Sequence, residues 1–370
     1  MTARRRAPVA PRRPRRPVES RSTPGAPTLA RHLAAARAAG LRTDVSAVVQ
    51  AMAATGARLA RVIARAAFTG RLGEAGTTNA SGDAVRRLDQ HANAALLAAL
   101  RATGRVAAVA SEELARPVTW PGRGTLVVCL DPLDGSLNSD VAGVLGTIFG
   151  IRDRGLDRST DPVRSLMGPG SEQLAAGYLV YGPATVFVYT AGAGVHVFTL
   201  DPVDRRFRLT SAAVRMPRRG RTYAVNDANW PAWGAADRVL LEWLRGVDGG
   251  RPGYRLRYSG ALAADFHRTL LEGGLYLYPA DARRPAGRIR LLYEAAPLAL
   301  IAEAAGGRAS TGSGRVLDVV AARPEATTPL YIGGAMEVQQ AERCHRRLPP
   351  RRRRAERPRD RRAGGGAPHT

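Results

Sequence analysis

The hydrophobic pattern changes period more than once along the chain. From Leu29, the segments LARHLAAARAA and VSAVVQAMAATGARLARVIARAAF place apolar residues three and four apart, which predicts two amphipathic helices, the second capped by Ser46 or Asp44. A polar stretch, TTNASGD, interrupts this period before RRLDQHANAALLAALRATG restores it, with Asp89 placed to open the third helix. VAAVASEE, VVCL and GTIFGIR then read as buried strands. AGYLVYG, TVFVYT and VHVFTLD alternate strictly, and the last two, joined by AGAG, predict a β-hairpin.

The composition shifts at LTSAAVRMPRRG, which divides an N-terminal half, residues 28–209, from a C-terminal half, residues 210–341. In the second half TYAVNDAN places Asn226 at a strand end, and GALAADFHRTLLEGG forms an amphipathic helix on which His267 is a packed residue. LYLYP is a strand with Tyr276 and Tyr278 on one face. GRIRLLYEAAPLALIAEAAGG delivers Arg288, Arg290 and Glu294 ahead of an apolar helix that the double glycine ends. LYIGG is a last strand, and MEVQQAERCHRRL a last helix.

The chemistry concentrates where VVCL stops at Asp131. Pro132 cannot donate to a ladder, so the strand is expected to end there and present the Asp131 carboxylate at its tip. Asp134 lies one tight turn later, where Gly135 allows the chain to bend back. Taken alone, this DxxD spacing reads first as a turn whose aspartates cap backbone groups. Two carboxylates so placed also suit a hard divalent cation, and the small residues Gly135 and Ser136 offer backbone N–H groups to an anion. Glu112 and Glu113 close another strand whose tip would lie beside that of VVCL.

Composition narrows the class. A chain of 370 residues with 45% hydrophobic content is globular, with no run approaching the roughly 20 apolar residues of a membrane helix and no apolar secretion signal. Six prolines between Pro8 and Pro27 oppose an amphipathic targeting helix, and two cysteines argue against a disulfide framework, so a cytoplasmic location is expected. The net charge of +25 is carried largely by the ends: residues 1–21 hold eight arginines against one acid, and residues 341–370 hold eleven against three. Residues 1–27 and 342–370 are therefore predicted to be disordered tails, able to meet nucleic acid only through non-specific attraction.

The run DPLDGSLNSD followed by GTIFGI resembles the signature of class I fructose-1,6-bisphosphatases, within the lithium-sensitive, magnesium-dependent sugar phosphatases. The resemblance recurs in SGDAVRRLDQHAN, ASEE, YAVNDAN, RYSGALAADFHRTLLEGGLYLYPAD and GRIRLLYEAAPLA, and covers residues 28–334. It implies a layered α-β-α-β-α fold with two mixed sheets. It further implies hydrolysis of the 1-phosphate of fructose 1,6-bisphosphate, in gluconeogenesis or the Calvin cycle, and a homotetramer. Glu112, Glu113, Asp131, Asp134, Glu294 and the backbone carbonyl of Leu133 would then hold two or three magnesium ions per site, since so many acids cannot crowd together without cations. Asp83, Asp89 and Glu113 would be catalytic, the first two activating the attacking water from a mobile loop. Asp134, Gly135, Ser136 and the backbone of Leu137 would meet the cleaved phosphate. Asn226, Tyr258, Tyr278 and Arg288 would hold the 6-phosphate, Arg257 would reach into a neighbouring subunit's site, and Arg290 would border metals and sugar.

The chain departs from that pattern in informative places. Leu137 and Ser139 replace the serine and isoleucine of DPLDGSSNID, Arg288 stands where lysine is usual, and Ala261 replaces a serine. Where AMP-inhibited relatives carry a lysine–tyrosine pair and an arginine, this chain has Thr125, Leu126 and Asp153, which predicts little or no inhibition by AMP through that route. A sedoheptulose-1,7-bisphosphatase or dual-substrate enzyme shares the same cleaved end. A non-catalytic polyanion-binding protein on a phosphatase fold would instead make the arginine tails the functional part.

Overall fold

A computed structural model describes residues 25–78, 84–122, 124–155, 161–247, 249 and 253–348. The helices are α1 (Leu29–Ala38), α2 (Thr43–Ala64) and α3 (Arg87–Ala102), followed in the second half by α4 (Ala235–Arg245), α5 (Leu262–Glu272), α6 (Ala296–Ala304) and α7 (Ala335–Arg347); all but α4 are expected from the sequence. A hairpin of β1 (Glu74–Thr78) and β2 (Ala84–Arg86) leads into α3. The larger sheet contains β3 (Val106–Ser111), β4 (Val118–Thr119), β5 (Leu126–Asp134), β6 (Leu145–Asp153), β7 (Gln173–Tyr181), β8 (Thr185–Thr190), β9 (Val195–Leu200) and β10 (Phe207–Ser211). Their spatial order is β10-β9-β8-β7-β6-β5-β3-β4. A second sheet orders β12 (Arg255–Leu256), β11 (Thr222–Ala224), β13 (Leu275–Tyr278), β17 (Leu330–Gly333) and β15 (Arg308–Ser310). A short pair, β14 (Ile289–Arg290) with β16 (Thr327–Thr328), stands apart. Both main sheets are mixed.

Period-two alternation explains the layering. On β5, Leu126, Val128 and Leu130 bury against α2 and α3, while Val127 and Cys129 face the opposite core, which α5 and α6 fill. Helices α5 and α6 also touch the second sheet, whose outer face packs on α4 and α7 through Tyr223, Leu277 and Tyr331. The result is five layers, helices 1–3, large sheet, helices 5 and 6, small sheet, helices 4 and 7, as the sequence implies. The middle core draws on both halves of the chain, from Ala108 to Ile332. On the outer side, Asp237 of α4 accepts from Tyr331 and lies 3.0 Å from His345 Nε2, tying α7 to the sheet.

Several boundaries differ from expectation. Helix α2 starts at Thr43 with Arg42 in the cap position, so neither Ser46 nor Asp44 caps it; Ser46 is buried and accepts from Arg37. Helix α3 starts before Asp89, whose carboxylate caps it from within the first turn by accepting from Arg86 N at 2.9 Å. Strand β5 does not stop at Pro132 but continues to Asp134 through a bulge. Helix α7 runs through Arg347, into the stretch assigned to the C-terminal tail, and at the other end Pro27 O already accepts from Leu209 N. Tail residues 1–24 and 349–370, and Asp83, lie outside the described residues. Among the described residues α2 alone is long and apolar enough to cross a membrane; here Val48, Val49 and Met52 are fully buried beneath it, as in a core helix.

Candidate active site

The site forms where β3 and β5 end side by side. These neighbours run parallel, with Ser111 opposite Leu130, so Glu112 emerges beside Asp131, and Glu112 N donates to Leu130 O at 3.0 Å. Asn93 of α3 accepts from the Ser111 hydroxyl at 2.8 Å and fixes that tip from the helix side. Between β5 and β6 the register jumps, Asp131 facing Ile148 and Asp134 facing Gly146. The bulge absorbs Pro132, which has no N–H, while Thr147 Oγ1 satisfies its carbonyl at 2.8 Å. Leu133 sits outside the paired register, and its N–H donates to Asp131 Oδ1 at 3.1 Å.

Asp134 points into the start of α5. Its two oxygens accept from Leu262 N at 3.0 Å and Ala263 N at 2.7 Å, an arrangement that stabilises the anion through the helix terminus. Gly135 follows in the left-handed region at φ 74°, and a Cβ there would fall 2.6 Å from that of Ala261, so no larger residue fits. A short 3-10 turn, Ser136–Val141, continues from it, with the Leu137 side chain 75% exposed. Glu294 arrives from the second half on a π-helical turn, Leu291–Ala295, a distortion common at functional positions. Its Oε2 accepts from Arg290 N at 2.6 Å, and Arg290 Nε lies 3.4 Å from Glu112 Oε1.

The ligand atoms of Asp131, Asp134 and Glu294 all lie within 4.8 Å of one another. Burial raises the Asp131 carboxyl well above its ordinary range, and the charges of Glu112, Asp134, Glu294 and Glu113 add to the shift. Glu294 is raised for the same reasons, burial first and then Glu112 and Asp134. Asp134 is pushed up by burial to about 7 although Ala263 and Leu262 donate to it. Five acids thus act on one another in a place water barely reaches, Asp131 being 3% exposed. An all-oxygen donor set under that mutual repulsion fits a hard divalent cation, which removes the repulsion and uses the remaining lone pairs.

Asp89 borders this pocket. Burial pushes it up to about 6, against the opposing pull of the Arg86 N–H and the Ser136 hydroxyl, and its Oδ1 is buried without a hydrogen-bond partner among the described residues. The hairpin that leads into α3 is latched: Asp140, in the turn after Gly135, pairs with Arg86 and accepts from Gly73 N at 3.2 Å. Sequence reading missed Asp140, which looks like one more polar residue of the motif until the hairpin is seen lying over it. It also missed Asp265, which accepts from Ser259 N at 3.0 Å and which burial raises to about 6.

The sugar-side residues gather less tightly. Burial raises the Tyr258 phenol, and Tyr278, Asp265 and Asp134 contribute, so Tyr258 lies between Tyr278 and the acid pocket. Arg288 is half-buried, 3.3 Å from Asp281, and lines a cavity of about 290 Å³ with Asn229 and Arg283. Asn226 stands at the head of the turn flanking that cavity and accepts from Ala228 N at 3.3 Å. Arg257 is exposed, its guanidinium donating to Leu256 O at 2.8 Å. His267 lies outside as expected, bonded to the Tyr178 hydroxyl at 2.8 Å and lowered by burial to about 4.

Two mixed sheets alternating with three helical layers, and an acid pocket at the tips of one parallel strand pair, define a sugar phosphatase fold. The family models for the N-terminal and C-terminal domains of fructose-1-6-bisphosphatase match residues 28–212 and 216–346. The chain belongs to the fructose-1,6-bisphosphatase family. It is 42% identical over 305 residues to the class 1 fructose-1,6-bisphosphatase of Synechococcus sp. (strain JA-3-3Ab), an alignment covering 81% of this chain and 91% of the relative. It is 43% identical over 298 residues to that of Nitratidesulfovibrio vulgaris, covering 78% and 88%. The crystal structure of the Leishmania major fructose-1,6-bisphosphatase in holo form superposes with a TM-score of 0.83 at 34% identity, spanning 87% of this chain and 100% of that one.

Proposed function

We propose that this enzyme hydrolyses the 1-phosphate of fructose 1,6-bisphosphate with magnesium held by Asp131, Asp134, Glu294, Glu112, Glu113 and the Leu133 carbonyl. The observation that carries the reading is the convergence of acids from β3, β5 and the Leu291–Ala295 turn beside the loop at Gly135. Two or three ions suit the number of carboxylates. Bound there, magnesium supplies Lewis-acid polarisation and charge neutralisation for the phosphoryl oxygens.

The chain's own residues do the rest. Asp89, held near 6 and with Oδ1 without a hydrogen-bond partner among the described residues, takes a proton from the attacking water once the hairpin is latched, with Asp83 and Glu113 assisting. N–H groups of Gly135, Ser136 and Leu137 hold the phosphoryl oxygens; the outward Leu137 side chain accords with a part played by its backbone alone. Asn226, Tyr258, Tyr278 and Arg288 grip the second phosphate, whose binding energy orients the sugar. Arg288 binds it as a planar fork where lysine would offer a point charge. Arg290 keeps the Glu112 and Glu294 carboxylates in place.

In this reading residues 28–209 carry the cation-binding half and residues 210–341 the sugar-phosphate half. Four chains assemble so that each exposed Arg257 completes a neighbour's site, in the cytoplasm, where free Cys129 and Cys344 stay reduced. Phosphate release from fructose 1,6-bisphosphate and from sedoheptulose 1,7-bisphosphate, with magnesium and with chelator, tests the proposal. Turnover of the fructose ester that chelator abolishes is expected; no turnover of either ester, or turnover indifferent to chelator, overturns it. Light scattering on the purified protein reads the assembly, and a monomer at working concentration would remove Arg257 from the site.

A further inference from the structure

An amide outside the acid pocket joins the two ends of the proposed substrate site. Asn138 follows Leu137 in the turn after Gly135, half-buried, and its Nδ2 carries two N–H groups. One donates to Val144 O at 2.9 Å and closes the loop that contains it; the other donates to Ser259 O at 3.0 Å, in the second half of the chain. Both neighbours are carbonyl oxygens, so the amide nitrogen and not its oxygen must face them. The Asn138 main chain is fixed as well, its N–H on Gly135 O and its carbonyl taking Gly143 N, each at 2.8 Å. A Cβ on Gly143 would fall 2.9 Å from that of Asn138, so the loop closes tightly around this residue. Ser259 is held from its other side by α5. Both carboxylate oxygens of Asp265 accept from Ser259 N, at 3.0 and 3.1 Å, and Asp265 N donates to Ala261 O at 3.1 Å. Each main-chain group of Ser259 thus has a partner, the N–H in α5 and the carbonyl on the loop between Gly135 and Gly143.

We propose that Asn138 is a positioning residue whose amide sets the distance between the grip on the cleaved phosphate and the grip on the uncleaved one. This rests on the proposed function, in which the Leu137 backbone meets the first phosphate and Tyr258 the second; Asn138 and Ser259 are the next residues along from each. The energy of binding a remote group assists the reacting end only when the two grips keep a fixed separation. Misplacing the reacting groups by about 1 Å can cost about 10²-fold in rate. Leu137 and Val141, on either side of Asn138 in the turn, are both exposed, so apolar packing does little to hold the loop. Asp134 also spans the two segments, through Leu262 N and Ala263 N, but its carboxylate is one of the acids of the cation pocket. The neutral Asn138 amide is free of that competing demand.

Steady-state kinetics and calorimetry on the full chain test this, with magnesium present throughout. Asn138→Ala should lower kcat for fructose 1,6-bisphosphate at least about tenfold, while the Kd of fructose 6-phosphate, which fills the second-phosphate end alone, stays within about twofold. Asn138→Asp keeps the shape of the side chain but has no N–H to donate, and should show the same split. Gln173→Ala is the matched control: Gln173 Nε2 also bridges two carbonyls, Gly170 O and Ala296 O, each at 2.9 Å, but joins no residue assigned to either phosphate. It should lower Tm without separating kcat from fructose 6-phosphate affinity. Three results would overturn the proposal: kcat within about twofold of the unaltered enzyme in both Asn138 variants, kcat and fructose 6-phosphate affinity falling together as a loosened fold would produce, or the same split in Gln173→Ala. An unaltered protein that binds fructose 6-phosphate yet releases no phosphate from the bisphosphate would strike the proposed function itself, and the role of Asn138 with it.

Discussion

At the start of α2, Arg42 sits between Asp44 and Asp153, and the Thr125 hydroxyl donates to Asp44. At the tips of β3 and β5, five acids act on one another, and Arg290 Nε lies 3.4 Å from Glu112. Burial opposes ionisation in both places. At Asp44 hydrogen bonds from Arg42 and Thr125 overcome it and hold the carboxyl at about 2, whereas Asp134 rises to about 7. The difference teaches where the molecule needs something from outside. In the Arg42 network the guanidinium is fully engaged by Asp44 and Asp153 and leaves no fork free for a nucleotide phosphate, while the strand-tip acids crowd together in a way that a bound cation would relieve.

The largest expected effect breaks the unmatched side. Asp131→Asn or Glu294→Gln should lower phosphate release by about 10³-fold or more, corresponding to several kcal/mol of lost charge stabilisation, with the fold retained by circular dichroism. Activity within tenfold of the unaltered enzyme would mean that these acids are structural. Next comes Asp89→Asn, expected to reduce kcat by about 10²-fold. Because the base must be ionised, turnover of the unaltered enzyme should fall as pH drops through about 6, and this limb should vanish in the variant. A pH–rate profile that keeps its limb in Asp89→Asn would assign the proton to another group.

Removing the cation sharpens the comparison further. With Asp134 at about 7 and Asp89 at about 6, the cation-free fold binds more protons than the unfolded chain between pH ~4 and ~7, so its stability must decline as pH rises through that window. Scanning calorimetry of chelated protein should show Tm lower by a few degrees at pH 7.5 than at pH 5.5, and magnesium should remove the difference. A chelated protein that gained stability over the same range would contradict the repulsive character of the pocket. The smallest effects belong to the matched side. Arg42→Ala should cost under about 1 kcal/mol, since the pair is partly exposed, and AMP added to the unaltered enzyme should leave turnover unchanged. Potent inhibition would show that the Arg42 network opens for a ligand.

Local pattern made most of the architecture legible. Alternation in GTIFGIR, TVFVYT and VHVFTLD is the alternation of Phe149, Phe187 and Phe198 into one core and Ile148, Val188 and Val197 into the other. Proline misled at Pro132, because a bulge lets a central strand carry a residue that cannot donate, provided a neighbour such as Thr147 takes up the slack. The DxxD pair was visible in sequence because both acids belong to one turn. The approach of Glu294 to them was not readable from spacing, since it depends on a π-helical turn some 160 residues downstream, and only resemblance pointed to it. Asp140 was hidden for the same reason: it gains its meaning from an element far away in the chain.

In the eight-stranded sheet β3 and β5 are the only adjacent strands that run the same way; every other neighbouring pair is antiparallel. Had either been laid down in reverse, its acids would emerge from the opposite rim, roughly 20 Å away at ~3.3 Å per residue. A topology that spends a long crossover through α-helix-free chain on one co-directional neighbour thereby fixes where chemistry is allowed to occur, and any circular rearrangement of the gene that preserves this orientation should preserve the reaction with it.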